Sequence, residues 1–273
     1  MGNMNVCCNA REDLPHEHPQ NKLKHKQDTE ESEYEPNTEA YRKTIQSVII
    51  QKPSLTFGEQ MIQDIIDLTD ENKVPLNSEN GWNCLIDQAS VKLYAFEWKK
   101  AEKSMQNQGC ILVRVIVLRA QFQLNCTIQQ YLNVSIDDMK LIDKKIEEFN
   151  IVEENTEHNE SIRYLAHKGI GVLKSRDFLY LKSQQKISEQ LYIEAAKSIE
   201  DQTGYIEKKR TRGSINLAGQ IVEQINLSTI LIKQFLDVDL KTNVQLANLK
   251  NPILKEFVKY HESLQNHVNF QQQ

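Results

Sequence analysis

The feature of this 273-residue chain that most constrains its fold is a series of strand-like segments separated by short turns. Two of them, Val91–Trp98 (VKLYAFEW) and Cys110–Arg119 (CILVRVIVLR), are rich in β-branched and aromatic residues. Further strand candidates follow at 150–156, 161–167, 177–186, 189–199, 204–209, 213–223 and 228–238. Because short turns join neighbouring strands in antiparallel pairs, this order predicts a long antiparallel sheet, and a sheet of that length must curl.

A helix precedes the strands. Thr56 and Glu59 have the spacing of a capping box, which marks a helix N-terminus. The apolar residues that follow recur at helical spacing and predict one buried stripe that ends near Asn72; they are Phe57, Met61, Ile62, Ile65 and Ile66.

Two short helices are predicted between the first and second groups of strands. The first spans about Thr127–Asn133, and the second begins at Ser135 with an Asp three residues on. Ile142, Ile146 and Phe149 continue the helical spacing of the second helix.

The last segment, Asn243–Asn269, is a long helix with one apolar face. Pro252 interrupts it, so either the helix kinks there or a second helix begins with Pro252 in its first turn. Helices placed at the ends of the chain and in one insertion, with consecutive strands between them, predict the α+β class. The last helix would then cover the concave side of the sheet.

Composition divides the chain into a tail, residues 1–53, and a folded domain, residues 54–273. From residue 9 onward the tail is dense in charged and amide residues, which predicts a disordered linker whose His16, His18 and His25 are solvated. The domain is apolar enough for a core, since 39% of the whole chain is hydrophobic. We expect a monomer.

Net charge and cysteine content bear on the binding partners, the cellular compartment and the cofactors. The net charge of −5 argues against nucleic-acid binding, and the basic run Lys208–Arg212 is either a solvated turn or a contact with anionic lipid. Five cysteines without CxxC spacing and no signal peptide predict a reducing cytoplasmic location and no metal or other cofactor. No run reaches the roughly 18 apolar residues that a spanning helix needs.

The first residues have the pattern of a lipidation signal. Gly2 follows the initiator Met, and Cys7 and Cys8 come close behind. Myristate on Gly2 with palmitate on a cysteine would give a stable membrane anchor. Val6 stands where the myristoylation pattern has Ser or Thr, so the segment is either an acylated tether or a tail with ordinary thiols.

The domain resembles the START (steroidogenic acute regulatory protein-related lipid transfer) family over about Leu55–Phe270. Ser175–Leu181 (SRDFLYL) is similar to the family's turn into a central strand, and Val91–Tyr94 to its "VKVY" strand. The segment Glu59–Trp82 resembles the family's first helix and its "GW". Phe235–Lys241 resembles the entry to the last helix, with Thr242 in place of Gly, and Asp143-Lys144-Lys145 departs from the family's "W-x-P".

This resemblance implies a helix-grip fold, in which a curved antiparallel sheet wraps around the C-terminal helix and encloses a tunnel for one lipid. A sterol, a phospholipid or a sphingolipid would be carried or sensed at a membrane surface. The strands that would supply the tunnel lining contain Phe178, Tyr180, Tyr192, Ile193 and Leu231. The sequence does not fix which alternating set faces inward, and any of these residues could be ordinary core.

By position, the loop Gly169-Ile170-Gly171-Val172 corresponds to the family's gating loop beside the last helix. The residues that would face it from that helix are Leu249, Ile253 and Phe257. Movement of this pair would admit the lipid, although the glycines could equally form a simple tight turn.

Arg114 is the charge that interrupts the most apolar strand. An inward Arg114 needs an acid or a lipid headgroup as partner, because an unpaired buried charge is very costly, and Glu194 is a candidate acid. An outward Arg114 would lie at the rim or in solvent.

Catalysis is the competing function. A related cavity fold can act as a hydrolase or cyclase, yet the chain has no GxSxG motif and no evident nucleophile–histidine pair, so we expect no enzyme. The other alternative is a tethered, lipid-regulated scaffold without transfer activity, which the acylation pattern and the long linker suit.

Overall fold

The computed structural model describes residues 56–103, 110–134, 136–200 and 210–270. In this part of the chain ten strands form one curved, mainly antiparallel sheet, as the sequence predicted. The strands are β1 (Asn83–Gln88), β2 (Val91–Lys103), β3 (Cys110–Leu124), β4 (Ile146–Asn155), β5 (Glu160–His167), β6 (Arg176–Ser188), β7 (Leu191–Ser198), β8 (Thr211–Arg212), β9 (Ser214–Asn226) and β10 (Thr229–Thr242).

The strand order across the sheet is β1-β2-β3-β10-β9-β7-β6-β5-β4, and the two-residue β8 pairs with β6 in parallel. Four α-helices accompany the sheet in the described residues: α1 (Phe57–Thr69), α2 (Ile128–Leu132), α3 (Ile136–Ile142) and α4 (Leu246–Phe270). The last strand therefore lies in the middle of the sheet and leads directly into α4.

Helix α1 begins at the capping box that the sequence predicted. The Glu59 amide donates to Thr56 Oγ1 at 3.2 Å, and the Thr56 amide donates to Glu59 Oε2 at 2.8 Å. The buried side of α1 packs on the outer face of the sheet, where Ile65 and Leu68 meet Ile193 and Phe235. This core closes the outer face tightly, since Ile65 and Leu68 have no exposed surface.

Helix α4 covers the inner face. Leu249 packs near its start against Ile116, and Leu264 and Val268 pack near its end against Phe122. The structure resolves the alternative at Pro252, because one helix continues through that residue. The two ends of α4 thus rest on solid core, while its middle spans the inner face.

Helix α3 is shorter than the sequence indicated, because Ile146 and Phe149 belong to β4. A turn ends the helix: the Lys145 amide donates to the Asp143 side chain at 2.9 Å, and the Ile146 amide donates to the Asp143 carbonyl at 3.0 Å. Pairing of β4 with β5 then satisfies the backbone that a longer helix would have used. The strand candidate at 204–209 lies outside the described residues.

The first two residues of β6, Arg176 and Asp177, fasten the sheet. Arg176 Nε donates to the Leu240 carbonyl at 2.7 Å, which ties the start of β6 to the end of β10. Asp177 is buried and accepts from Arg212 Nη2 at 3.1 Å, which ties β6 to β8. Both buried charges therefore have partners and fix the end of the strand that carries Phe178 and Tyr180.

Candidate functional site

A row of four polar residues crosses the inner face of the sheet. The strand register places Gln184 of β6 opposite Glu194 of β7, Glu194 opposite Gln220 of β9, and Gln220 opposite Gln234 of β10. Directly paired residues share one face of a sheet. We call these four residues the polar row.

Hydrogen bonds join the polar row into a network. Gln234 Nε2 donates to Gln220 Oε1 at 3.0 Å, and Gln220 Nε2 donates to Glu194 Oε1 at 3.1 Å. Tyr131 of α2 lies 2.6 Å from Gln220 Nε2, so the helix above the sheet is tied to the row. The Tyr192 hydroxyl lies 3.0 Å from both Gln184 Oε1 and Glu194 Oε2 and donates to one of them at a time.

Glu194 is the negative charge in this network. Its Oε2 lies 2.5 Å from Lys182 Nζ. Burial opposes ionisation, but Lys182, the Tyr192 hydroxyl and Arg163 outweigh it and hold the pKa of Glu194 below its usual value. The carboxylate therefore stays charged at neutral pH, and Lys182 neutralises it.

A cavity of about 480 Å³ lies over the polar row. Ala196 and Ala218, which are paired with each other on β7 and β9, form part of its floor, and their small side chains leave the space open. Its roof comes from α2, α3 and α4 through Tyr131, Met139 and Tyr260. We call it the inner cavity.

A second cavity of about 240 Å³ lies toward the end of the sheet where β6 begins. Its walls are largely aliphatic and aromatic: Ile116, Leu118, Phe178, Leu236, Val238, Leu240, Leu249 and Ile253. Leu165 and Ile215 form part of the walls of both cavities, so the two spaces are neighbours. We call this one the outer cavity, although it too lies on the inner face of the sheet, under α4. A third recess, beside Arg119, holds only about 10 Å³ and is too small for a lipid.

Three residues that line the inner cavity carry polar groups without protein partners among the described residues. They are Arg163, through its two terminal amino groups, and Tyr180 and Tyr260, through their hydroxyls. Arg163 is held from behind, because its Nε donates to Ser161 Oγ at 2.8 Å and its guanidinium lies 5.8 Å from the Phe149 ring centroid. Burial raises the pKa of Tyr180 to about 12, so its hydroxyl remains a donor at neutral pH.

The predicted gating loop lies at the outer cavity. Gly169 and Ile170 line it, whereas Val172 points outward with 69% of its side chain exposed. Gly171 has φ of +59° and lies so near α4 that a Cβ there would come within 2.9 Å of Pro252 Cγ. The loop therefore rests directly on α4, and a side chain at 171 would strain the backbone and press on the Pro252 ring.

The turn 143–145 ties down the base of the gating loop. Lys145 Nζ donates to the Gly169 carbonyl at 3.2 Å and lies 3.8 Å from Glu256 of α4. His167 Nε2 lies 3.2 Å from Asp143 Oδ2. Burial would raise the pKa of Asp143, but His167 and Lys145 outweigh it and lower that pKa, so the Asp143 carboxylate stays charged at neutral pH.

Most of the residues named from the sequence border these cavities. Tyr180, Tyr192 and Glu194 line the inner cavity. Phe178, Leu249 and Ile253 line the outer one. The chain thus brings together groups from β6, β7 and α4, while their contact with a lipid stays a prediction.

Three of the named residues lie elsewhere. Ile193 packs with α1 on the outer face, and Leu231 alternates with the inward-packed Ile230 and Ile232 and so lies on the outer face too. Phe257 packs against Phe122, with ring centroids 5.8 Å apart, in the solid core beneath α4. We assign all three to packing rather than to the cavity walls.

The remaining named residues cannot be placed in the site. Arg114 belongs to β3, but its side chain lies outside the described set, and the ion-pair partner of Glu194 is Lys182. Gly2, Cys7 and Cys8 also lie outside the described residues.

Sequence reasoning missed Arg163, Lys182, Gln220 and Gln234. A signal existed, because each occupies a position of its strand that has the same parity as apolar inward residues. Without the strand register, such residues read as solvent-facing.

Replacing Ala196 with Leu should leave the free energy of unfolding unchanged within about 0.5 kcal/mol, because the side chain extends into the inner cavity. The matched control is Ala195→Leu on the same strand, whose side chain packs in the closed core under α1. That variant should lose about 1–3 kcal/mol through overpacking. Urea denaturation of both variants checks this; equal losses would mean that no such space exists beside Ala196.

Comparison with known proteins bears on the fold. No family model and no curated protein matches the chain. Solved structures do match: human STARD10 has a TM-score of 0.58 at 16% identity, covering 82% of this chain and 86% of that one. Human StAR-related lipid transfer protein 5 has a TM-score of 0.57 at 14% identity, covering 71% and 88%. The lipid transfer and protein localization domain of human StarD13 (DLC2) gives 0.52 at 15%, covering 68% and 89%. The described part of this chain therefore has the helix-grip fold of the START domain.

Proposed function

We propose that the chain binds one lipid molecule, with the polar part in the inner cavity and the apolar part in the outer one, for transfer or sensing at a membrane surface. The observation that carries the proposal is the pair of neighbouring cavities, one with a polar floor and one with apolar walls. Protein interiors normally close to crystal-like packing, so open space of this size on the inner face calls for an occupant.

The energetics explain what such a site contributes. A methylene exposed to water costs about 0.8 kcal/mol, so a ~16-carbon chain leaving a bilayer faces roughly 12 kcal/mol. The aliphatic walls of the outer cavity would keep the chain out of water during transit. The likeness to lipid transfer proteins in fold supports the same function.

The environment of the histidines supports binding without catalysis. Of the four histidines at 158, 167, 261 and 267, His167 is the one that borders a cavity in the described part of the chain. Both of its ring nitrogens are engaged, by the Lys168 carbonyl at 2.7 Å and by Asp143 at 3.2 Å. It is therefore a positioning group for the loop rather than a free general base.

The test is native mass spectrometry of the full chain after incubation with vesicles that contain phosphatidylcholine, phosphatidylglycerol, sphingomyelin and cholesterol. One lipid per chain is expected. Replacing both Ala196 and Ala218 with Phe should lower occupancy at least about tenfold, because the rings fill the inner cavity. The exposed hairpin variant Leu227→Ala serves as control and should bind normally. Full occupancy of the filled variant would contradict the proposal.

We also propose that the gating loop and α4 separate to admit the lipid. The supporting observation is the close approach of Gly171 to Pro252 of α4, next to the outer cavity. The 143–145 turn holds the other end of the loop, so an opening motion would hinge there.

A disulfide between Gly171→Cys and Pro252→Cys should lock this gate. The Cβ positions lie about 3.3 Å apart, close to disulfide geometry. In a background with the native cysteines changed to Ser, oxidised protein should neither load nor release lipid, and a reductant should restore exchange. Each single-cysteine variant is the control for the substitutions. Exchange at the normal rate while the disulfide is intact would place the entrance elsewhere.

The domain division and the tether remain proposals. We propose that residues 1–53 link an acylated Gly2 and Cys7 or Cys8 to the lipid-binding domain, which would make the protein a membrane-held sensor. No helix in the described residues is long and apolar enough to cross a bilayer. The support for attachment is the sequence pattern alone.

Metabolic labelling with myristate and palmitate analogues tests the tether. Label should enter the wild-type chain, disappear from Gly2→Ala for myristate, and disappear from the Cys7→Ser/Cys8→Ser double variant for palmitate. Cys84→Ser is the matched control, since Cys84 is an exposed thiol of the folded domain. Unlabelled wild-type protein would favour a diffusible carrier.

A further inference from the structure

The charges around the inner cavity do not cancel. Three charged side chains border it in the described part of the chain: Arg163, Lys182 and Glu194. Lys182 and Glu194 neutralise each other at 2.5 Å. Arg163 remains as a surplus positive charge, and its side chain is partly buried.

Arg163 is fixed with its recognition surface free. Its Nε is held by Ser161, and Phe149 lies against the guanidinium. Arg163 lines the inner cavity, and its two terminal amino groups have no partner among the described residues. A guanidinium in this state binds an oxyanion through two parallel hydrogen bonds.

Two hydroxyls surround the same space. Tyr180 is directly opposite Arg163 in the strand register, and only 8% of its surface is exposed. Tyr260 reaches the cavity from α4. Together with the two terminal nitrogens of the guanidinium, the two hydroxyls supply four donor atoms. One arginine alone can already pair with both oxygens of a carboxylate, whereas a phosphate has further oxygens that can accept from the tyrosines.

We propose that the inner cavity selects a phospholipid whose headgroup has a net negative charge, with its phosphate bound by Arg163, Tyr180 and Tyr260. This deepens the proposed function and rests on it. A phosphodiester of charge −1 compensates the surplus charge of Arg163. A zwitterionic headgroup would add a positive charge that finds no free acid in the cavity, because Glu194 is already engaged by Lys182, Gln220 and Tyr192.

A sterol fits this space less well. Its single hydroxyl can accept at most two hydrogen bonds and carries no charge, which would leave the guanidinium without an anion. The outer cavity, whose walls are mostly aliphatic and aromatic, then takes the acyl part.

The test is competition between phosphatidylglycerol and phosphatidylcholine with the same acyl chains, read by native mass spectrometry of the full chain. The wild type should prefer phosphatidylglycerol at least about tenfold, because the choline of the other lipid adds a positive charge that has no free acid in the cavity. Arg163→Gln should lower phosphatidylglycerol binding about 10–100-fold and phosphatidylcholine binding less, so that the preference is reduced. Arg163→Lys keeps the positive charge but loses the paired donors, so its affinity for phosphatidylglycerol should lie between those of the wild type and Arg163→Gln.

The matched control is Lys197→Gln, which removes one positive charge from the opposite face of β7 and should keep the preference. Inorganic phosphate at the lipid concentration should not displace phosphatidylglycerol; displacement would make phosphate itself the ligand. A wild type that prefers phosphatidylcholine or cholesterol, or an unaltered preference in Arg163→Gln, overturns this inference while the proposed function stands. A chain that binds no lipid at all overturns both, and the wild-type competition remains decisive if Arg163→Gln does not fold.

Discussion

The structure depends on how the inner face of the sheet accommodates polar groups that cannot be packed dry. Four polar side chains stand in one cross-strand row, and an ion pair joins the row at Glu194. Buried polar groups are stable only when they are hydrogen-bonded, so the row forms a network rather than an ordinary apolar core. On one side of it Val222 and Ile232 lie under α4 in solid packing. On the other side Ala196 and Ala218 leave the space open, and the row thus marks where the core ends and the cavity begins.

The outer face lets the inner face remain hollow. Helix α1 supplies a closed core on β6, β7, β9 and β10, so these strands are held without help from the cavity side. Both ends of α4 are anchored as well, which leaves its middle over the cavities. A ligand that binds only the folded chain adds stability by mass action. Occupancy by the proposed lipid would therefore raise stability, although the scaffold does not require the ligand to close its main core.

Much of the fold could be predicted from sequence, because strand runs, the capping box at Thr56 and the long last helix depend on local patterns. Which side chains of each strand point to the inner face could not be predicted from the sequence. Tyr192 and Ile193 are adjacent in β7 and cannot both point inward, yet each looks like a wall residue in isolation. Arg163 was invisible as a site residue because a charged residue in an edge-proximal strand normally faces solvent. The extra length predicted for α3 has the same origin: Phe149 continues a helical spacing, but pairing with β5 decides its conformation.

The two cavities also set an order of events for a charged lipid. If the phosphate lies beside Arg163 and the lipid enters at the gating loop, the headgroup must first pass the aliphatic walls of the outer cavity. Moving a charge through such a region without water is costly, so a narrow opening would be slow for this headgroup. Separation of the loop from α4 at Pro252 would instead open the outer cavity to water along its length. The turn 143–145 would control that separation, because Lys145 contacts both the loop and α4. This turn is also a place where the sequence departs from the START pattern, so that departure lies beside the loop and not among the residues that line the inner cavity.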